Sequence, residues 1–326
     1  MTPSPGSVAL RRYKFRAADV IWILAGLAAF FAFPNHLSFG SIIIVAVIFA
    51  ISVDVVIGFP RIISLGQALY FGIGAYVAGL IALAGWTEPL TGALAAALVS
   101  AVVALLLGPL ILRLRELPLI MVTIGVAQLV YEAAHKNSWL TGGDDGLYGF
   151  QVGKLFGIFG WSLYGSTAYL YALGWAVVVF VAARIVTSSP FGVCLQGIRE
   201  NPDRMKLLGT PVLLRQVQAY SFGAAIAGLG GAVLAQSQSL VSLYVLSLEQ
   251  TIDGLVLLAL GGVGSIYGAI LGAPVYMIVK YLSQLISPHY WLFSVGLLLI
   301  AVVMSGKNGL IGISESLLFK LRPRRS

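Results

Sequence analysis

Apolar residues fall along this chain in long blocks with little polar interruption, and the blocks have the length of bilayer crossings. A helix needs about 20 apolar residues to span a membrane, fewer where it is short or re-entrant. Such blocks lie at 20–33, 41–58, 63–84, 90–112, 118–134, 163–184, 217–238, 251–261, 265–286 and 290–305. The eighth is too short to span alone and breaks at Gly261-Gly262-Val263-Gly264. Irregular backbone at that depth is tolerated only where it is buried in protein or lines a cavity. The pattern predicts an all-α, polytopic membrane protein of about ten helices, some short or broken. The first block follows Arg11, Arg12, Lys14 and Arg16, as in a signal peptide. It runs into Phe33-Pro34-Asn35-His36 without a small-residue cleavage site, so the expectation is an uncleaved first span.

Composition agrees. Of 326 residues, 59% are hydrophobic and 10% charged, against about 25% charged in an ordinary soluble domain. The 38 glycines fall mostly inside apolar blocks, where small residues let membrane helices approach closely. A single cysteine, Cys194, excludes an intrachain disulfide and a cysteine metal cluster. His36, His135 and His289 are far apart and share no ligand spacing.

The net charge of +8 does not point to nucleic acid, because the basic residues sit in short loops between apolar blocks. Loops of that kind set topology, with Lys and Arg on the cytoplasmic side. Arg11 to Arg16, Arg61, Arg113 and Arg115, Arg184 to Arg215, and Lys307 to Arg325 place 17 of the 20 basic residues on one side, leaving Lys136, Lys154 and Lys280 outside or near the outer boundary. Ten crossings put both termini in the cytoplasm, and eight would do so too. Residues 1–19 form a cytoplasmic segment, 20–312 the membrane domain and 313–326 a basic tail.

A faint repeat runs through the chain. Asp54 opens a stretch reaching Ser64, Gly66, Gly72 and Gly74; Asp253 opens one reaching Ser265, Gly268 and Gly272. Transporters often carry internal repeats, although Gly-rich spans also resemble one another by composition. Asp54, Glu132, Asp253 and Lys280 are the ionisable residues in or at the edge of spans. Boundary anchoring or helix capping accounts for them more simply than ion coupling, so the set argues weakly against a proton-driven carrier.

The most informative segment is the loop Thr187 to Val212. Ser189-Pro190 is a helix start, with Ser at the cap and Pro in the first turn. Phe191, Cys194, Leu195 and Ile198 recur at helical spacing and form an apolar face. Asn201-Pro202-Asp203 starts a second helix, and Gly209 followed by Pro211 stops it. Arg199, Glu200, Asp203, Arg204 and Lys206 decorate the polar surface. Two short amphipathic helices of this kind either dock a partner through an apolar knob and charged contacts, or lie on anionic lipid.

No phosphate-binding loop is present. Gly306-Lys307 is followed by Asn308 and lacks the upstream glycine. Gly72-Ile73-Gly74 lies inside an apolar span and reads as helix packing rather than a nucleotide fingerprint. No catalytic triad or metal constellation stands out.

Taken in order, several stretches resemble the permease subunits of bacterial high-affinity branched-chain amino acid importers, of the LivM type. They are Ser64-Leu65-Gly66-Gln67-Ala68 with Phe71-Gly72-Ile73-Gly74-Ala75-Tyr76, Leu140 to Leu147, Pro190-Phe191-Gly192, Ile198-Arg199-Glu200-Asn201, Leu208-Gly209, Leu260 to Ser265, and Gly309-Leu310-Ile311-Gly312. The resemblance covers about residues 40 to 312. It implies the helix arrangement of ribose-type permeases, a site in the bacterial inner membrane and transport by alternating access. It implies a second, LivH-like permease, two cytoplasmic LivG- and LivF-like ATPases that hold the ATP and Mg, and a periplasmic substrate-binding protein. This chain itself then needs no cofactor and is not an enzyme. In that reading the loop at about 187–216 couples to an ATPase through Ile198, Arg199, Glu200, Asn201, Asp203, Leu208 and Gly209. Pathway-lining candidates are Ser64, Gly66, Gln67, Gly72, Gly74, Gly261, Gly262, Gly264 and Ser265. Thr141, Gly142, Gly143, Asp144, Asp145 and Gly146 form an outer loop that meets the binding protein or is simply a turn. The pair Asp144-Asp145 departs from the Ser, Thr or Asn common there. The family also includes urea and short-chain amide importers. A stand-alone secondary transporter and a membrane enzyme or scaffold are the readings from other classes.

Overall fold

The computed structural model describes residues 17–114, 117–153, 160–161, 165–286, 291–305 and 309–310. The basic N-terminal cluster, Arg115, Lys154, Lys307, Ile311, Gly312 and the basic tail lie outside the described residues.

The described chain is helical almost throughout. Its helices are α1 (Ala17–Ala32), α2 (Leu37–Val53), α3 (Gln67–Leu83), α4 (Pro89–Ile111), α5 (Leu117–Lys136), α6 (Ser138–Thr141), α7 (Ser166–Ser188), α8 (Pro190–Glu200), α9 (Pro202–Leu207), α10 (Val212–Gln238), α11 (Leu248–Gly261), α12 (Ile266–Ile286) and α13 (Trp291–Ser305). A π-helical turn, Asp54–Gly58, extends α2. One short antiparallel ladder pairs β1 (Leu147–Tyr148) with β2 (Leu240–Val241), in the register Leu147 to Val241.

Ten of these helices match the ten apolar blocks, and six segments are long and apolar enough to cross a membrane. Boundaries moved where backbone chemistry intervened. Residues 59–66 do not continue into α3 as a helix; there the Gly66 amide donates to Ser64 Oγ (3.2 Å), and the Leu65 amide to Thr123 Oγ1 (3.2 Å). In α11 the helix begins at Leu248, earlier than its apolar block, because Ser247 caps it by accepting from the Gln250 amide (3.2 Å).

Burial divides the helices into two classes. In the α2 segment and in α10, 72% of the apolar window is inside the protein, against 28% in α4 and 22% in α5 and α12. The first class is the centre. The second presents Leu98, Leu106, Leu110, Met121, Leu129 and similar side chains outward, as a surface facing lipid or another membrane subunit must. Small residues hold the centre together. A methyl group added at Gly74 would run into the Gly228 carbonyl, and one at Gly231 into the Phe71 carbonyl. Close backbone approach, rather than apolar burial, is the source of helix association where the solvent is itself apolar.

Polar ties close the two ends. At the end carrying the basic loops, Asp19 of α1 pairs with Arg184 of α7, and Tyr267 of α12 hydrogen-bonds both. At the opposite end, Gln236 Nε2 donates to the Pro89 carbonyl (2.9 Å), and Tyr171 Oη donates to Gln236 Oε1 (2.6 Å), joining α10, α4 and α7.

Candidate functional site

The basic end holds the loop singled out by sequence. It folds as two short helices, α8 and α9, meeting at Asn201. Asn201 caps α9 by accepting from the Arg204 amide (2.9 Å). Ser189 stands at the α8 N-cap position, but its hydroxyl turns back and donates to the Val186 carbonyl (2.6 Å) instead of accepting from α8. The apolar face of α8 turns inward: Leu195 and Ile198 are each 1% exposed and belong to the core. That face therefore offers no knob to a partner. The outward apolar pair is Leu207 and Leu208, 90% and 71% exposed at the end of α9. Gly209 then turns the chain at φ +79°, a conformation a side chain disfavours. Glu200, Asn201 and Asp203 are also exposed, and Asp203 pairs with Lys206 (3.0 Å).

Arg199 is exposed as well, but its guanidinium reaches inward. Its guanidinium Nη1 donates to the Gly58 carbonyl (2.6 Å), where the α2 segment ends and helical carbonyls lack intrahelical partners. Four residues earlier, Asp54 is fully buried, and its Oδ1 accepts from the Gly264 amide (2.6 Å). Gly264 lies in the break between α11 and α12, at φ +85°, beside Gly262 at φ +112°. A side chain at Gly264 would also come within 2.7 Å of Arg199 Nη1. Three chain segments distant in sequence thus meet here: the end of α2, the α11–α12 break and the short-helix loop. The π turn permits this by widening the helix as it ends.

Beside the junction opens a cleft of about 760 Å³. Arg61, Arg113, Arg199, Lys206 and Glu200 line it, so it is strongly basic. Arg61 adopts φ +57°, rare for a residue with a side chain.

The remaining pathway candidates are scattered. Ser64 is buried with its hydroxyl 3.3 Å from Tyr220 Oη. Gly66 caps α3, and buried Gln67 donates to the Ser52 carbonyl (3.4 Å). A methyl group at Gly72 would strike Leu246, and one at Gly261 would strike the Gly268 carbonyl. These glycines serve helix contacts. Ser265 ends the break by accepting from the Gly268 amide (2.7 Å).

At the opposite end, Thr141 to Gly146 form a compact turn. Thr141 Oγ1 donates to the Asn137 carbonyl (2.9 Å), Gly142, Gly143 and Gly146 all have positive φ, and Asp144 lies 2.8 Å from His135 Nδ1. Asp144 and Asp145 are exposed. Among the described residues the turn packs on α5 and α6, at the end away from the basic-end junction.

Sequence reading flagged Asp253 and Lys280 separately; the structure pairs them. Lys280 Nζ lies 2.5 Å from Asp253 Oδ2, between α12 and α11. Tyr244 Oη donates to Asp253 (3.0 Å), and Tyr276 also hydrogen-bonds it. Neither tyrosine was singled out by sequence, since a tyrosine in an apolar block carries no signal until its partner is known. The usable signal was a carboxylate and an amine in neighbouring spans. Glu132, by contrast, is exposed on α5 and accepts from Gln128 (3.3 Å).

The profile of the family described as "Branched-chain amino acid transport system / permease component" matches residues 35–303. The chain belongs to this family. The permease is similar to the high-affinity branched-chain amino acid transport system permease protein LivM of Salmonella typhimurium, 28% identical over 315 residues that cover 87% of this chain and 73% of that protein. It is similar also to LivM of Escherichia coli, 27% identical over the same shares. A probable branched-chain amino acid transport permease protein LivM of Methanocaldococcus jannaschii matches 34% of the chain at 25% identity. No solved structure matches the chain. The family match spans α2 to most of α13, so it includes the junction, the loop and the paired Asp253 and Lys280.

Proposed function

We propose that this permease forms one half of the translocation pathway of an ATP-driven importer for branched-chain amino acids, and that Arg199 carries the motion of a partner ATPase into the membrane domain. The observation behind the second part is the two-sided geometry of α8–α9. Leu207 and Leu208 face outward, while Arg199 of the same unit holds the Gly58 carbonyl beside the Asp54–Gly264 contact. A subunit that grips the exposed leucines moves a lever whose other end sits on α2 and the α11–α12 break.

The basic loops support a cytoplasmic side for that end, in the inner membrane of a bacterium. Two ATPase subunits there bind ATP and Mg, a second permease completes the pathway and an external binding protein delivers substrate. The free energy of transport comes from the different affinity of the nucleotide states for the inward- and outward-open conformations. Arg suits the lever because its planar, always charged guanidinium keeps a directed bond to a carbonyl, which a lysine does not reproduce. The glycines at 262 and 264 let the break change backbone conformation without a side-chain penalty.

The test is affinity purification of the permease from its native membrane with mild detergent and ATP, followed by L-leucine uptake in proteoliposomes of what is recovered. The expected result is a second permease, two ATPases and ATP-dependent uptake. Recovery of this chain alone, with uptake that follows an ion gradient, refutes the proposal.

A further inference from the structure

A cavity of about 200 Å³ lies toward the end opposite the basic loops, bounded by α2, α3, α10, α11 and α12. One wall is apolar, formed by Val45, Phe49, Phe71 and Leu257. The other carries Asp253, Lys280, Tyr244 and Tyr276. Asp253 is five residues from the start of α11 and Lys280 six from the end of α12, ~8–9 Å along the axes, so the pair lies more than one helical turn inside the ends of its helices. Asp253 and Lys280 are each 16% exposed, and the exposed part faces this cavity. Charged groups at such depth are costly and characteristically functional.

From this arrangement we infer that Asp253 and Lys280 form a recognition site for the zwitterionic head of an amino acid, with the apolar wall taking its side chain; the inference rests on the importer reading above. The chemistry selects the ligand. An amino acid carries an ammonium and a carboxylate on one carbon, with no net charge. Its ammonium takes the place of Lys280 beside Asp253, and its carboxylate turns to Lys280. Every charge stays paired throughout. A lone cation or anion would leave one buried partner uncompensated, which is the expensive arrangement. The rings of Tyr244 and Tyr276 lie 5.9 and 5.7 Å from Lys280 Nζ, close enough for a cationic head to rest on them as it exchanges. Their hydroxyls, bonded to Asp253, fix the carboxylate's orientation. Phe49 and Phe71, with ring centroids 4.9 Å apart, give a branched aliphatic chain a wall and give a charged side chain no partner. Urea and simple amides lack both charges. In the described state the internal pair occupies the site, so substrate must compete with it, as suits a relay that has to release what it accepts.

The test uses the complete transporter in proteoliposomes, with L-photo-leucine as probe and L-leucine as competitor. In the native complex, labelling of this chain should fall on peptides containing Val45–Phe49 or Leu257. It should be competed by L-leucine but not by urea, leucinol or 4-methylpentanoate. Asp253→Asn and Lys280→Met should each lower labelling and leucine uptake at least tenfold. Tyr244→Phe, which keeps the ion pair, should raise the KM for delivered leucine about threefold with assembly unchanged. The double exchange Asp253→Lys with Lys280→Asp restores an ion pair but reverses the head's polarity against the fixed hydroxyls. It should restore thermal stability and not uptake. Unchanged labelling in the single variants, an unchanged KM in Tyr244→Phe, or full recovery of uptake in the double exchange overturns the recognition site and leaves an interhelical tie. If the native complex imports no leucine at all, the importer reading itself fails, a result distinct from each of these.

Discussion

Asp54 and Asp253 are both aspartates within the depth of the helices, one in the π turn that ends the α2 segment and one inside α11, yet the protein uses them differently. Asp54 has no exposure, and its Oδ1 accepts from a backbone amide, Gly264. Asp253 borders a cavity, and three side chains bind it: Lys280, Tyr244 and Tyr276. A carboxylate spent on backbone fixes where two chain segments meet. A carboxylate held by exchangeable side chains, with open volume beside it, can trade partners. The difference lies in the partner and in the space, not in the residue type. It also changes the meaning of the faint repeat, because the stretch after Asp54 and the stretch after Asp253 touch through the Asp54–Gly264 bond itself.

The comparison breaks most sharply at Asp54. Replacing it with Leu leaves the part-buried Gly264 amide unpaired, which costs about 1–3 kcal/mol, and removes the hydrogen bond between the α2 segment and the α11–α12 break. Asp54→Leu should therefore lower the detergent melting temperature by several degrees and abolish uptake. Asp54→Asn keeps an acceptor and should retain most of the stability. Equal loss in both variants would show that the charge, rather than the acceptor, holds the junction.

Gly74→Val tests whether the centre depends on close approach. Its side chain would meet the Gly228 carbonyl, and overpacking of this kind costs about 1–3 kcal/mol. The expected outcome is poor accumulation in the membrane, read by fluorescence-detected size exclusion. Leu106→Val on the outward face of α4, 73% exposed, should accumulate normally. Equal behaviour of the two would erase the division between central and peripheral helices.

How much of this was legible in the sequence depends on how local its cause is. The ten apolar blocks gave the ten apolar helices because span length is a one-dimensional property. The start of α9 was legible because Asn201-Pro202 carries cap and first turn in adjacent residues. Ser189 failed as a cap because a nearby carbonyl, Val186, competes for its hydroxyl, and nothing in the sequence ranks those two bonds. The inward face of α8 was read as apolar, correctly, but its direction was not available: amphipathicity says that a face is covered, not by what. The destination of Arg199, 141 positions from Gly58, is likewise a product of the fold. So is the pairing of Asp253 with Lys280, although each residue was visible alone as an exception within an apolar span.

Two further variants sharpen the division of labour within the loop. Arg199→Lys keeps the charge and loses the planar donor, so uptake should fall about tenfold while ATPase co-purification stays intact. Leu207→Ser with Leu208→Ser should do the reverse, releasing the ATPases with no change in melting temperature, since these side chains touch nothing in the isolated chain's core. If Arg199→Lys instead loses the ATPases, the guanidinium is part of the docking surface and not the lever behind it.

The smallest effect belongs to the outer turn. Asp144 lies 2.8 Å from His135, with side chains 79% and 41% exposed, and exposed pairs of this kind contribute about 0–1 kcal/mol. Asp144→Asn should leave the melting temperature within about two degrees of the native value and leave uptake unchanged when substrate and binding protein are saturating. The turn is held instead by Thr141 and by three glycines at positive φ, so Gly142→Val should disturb it far more. A methyl there would meet the Gly146 carbonyl, in a backbone conformation that side chains disfavour. If Asp144→Asn nevertheless raises the amount of binding protein needed for half-maximal uptake, with stability untouched, the carboxylate faces that partner, and the outer turn is a contact rather than only a fold element.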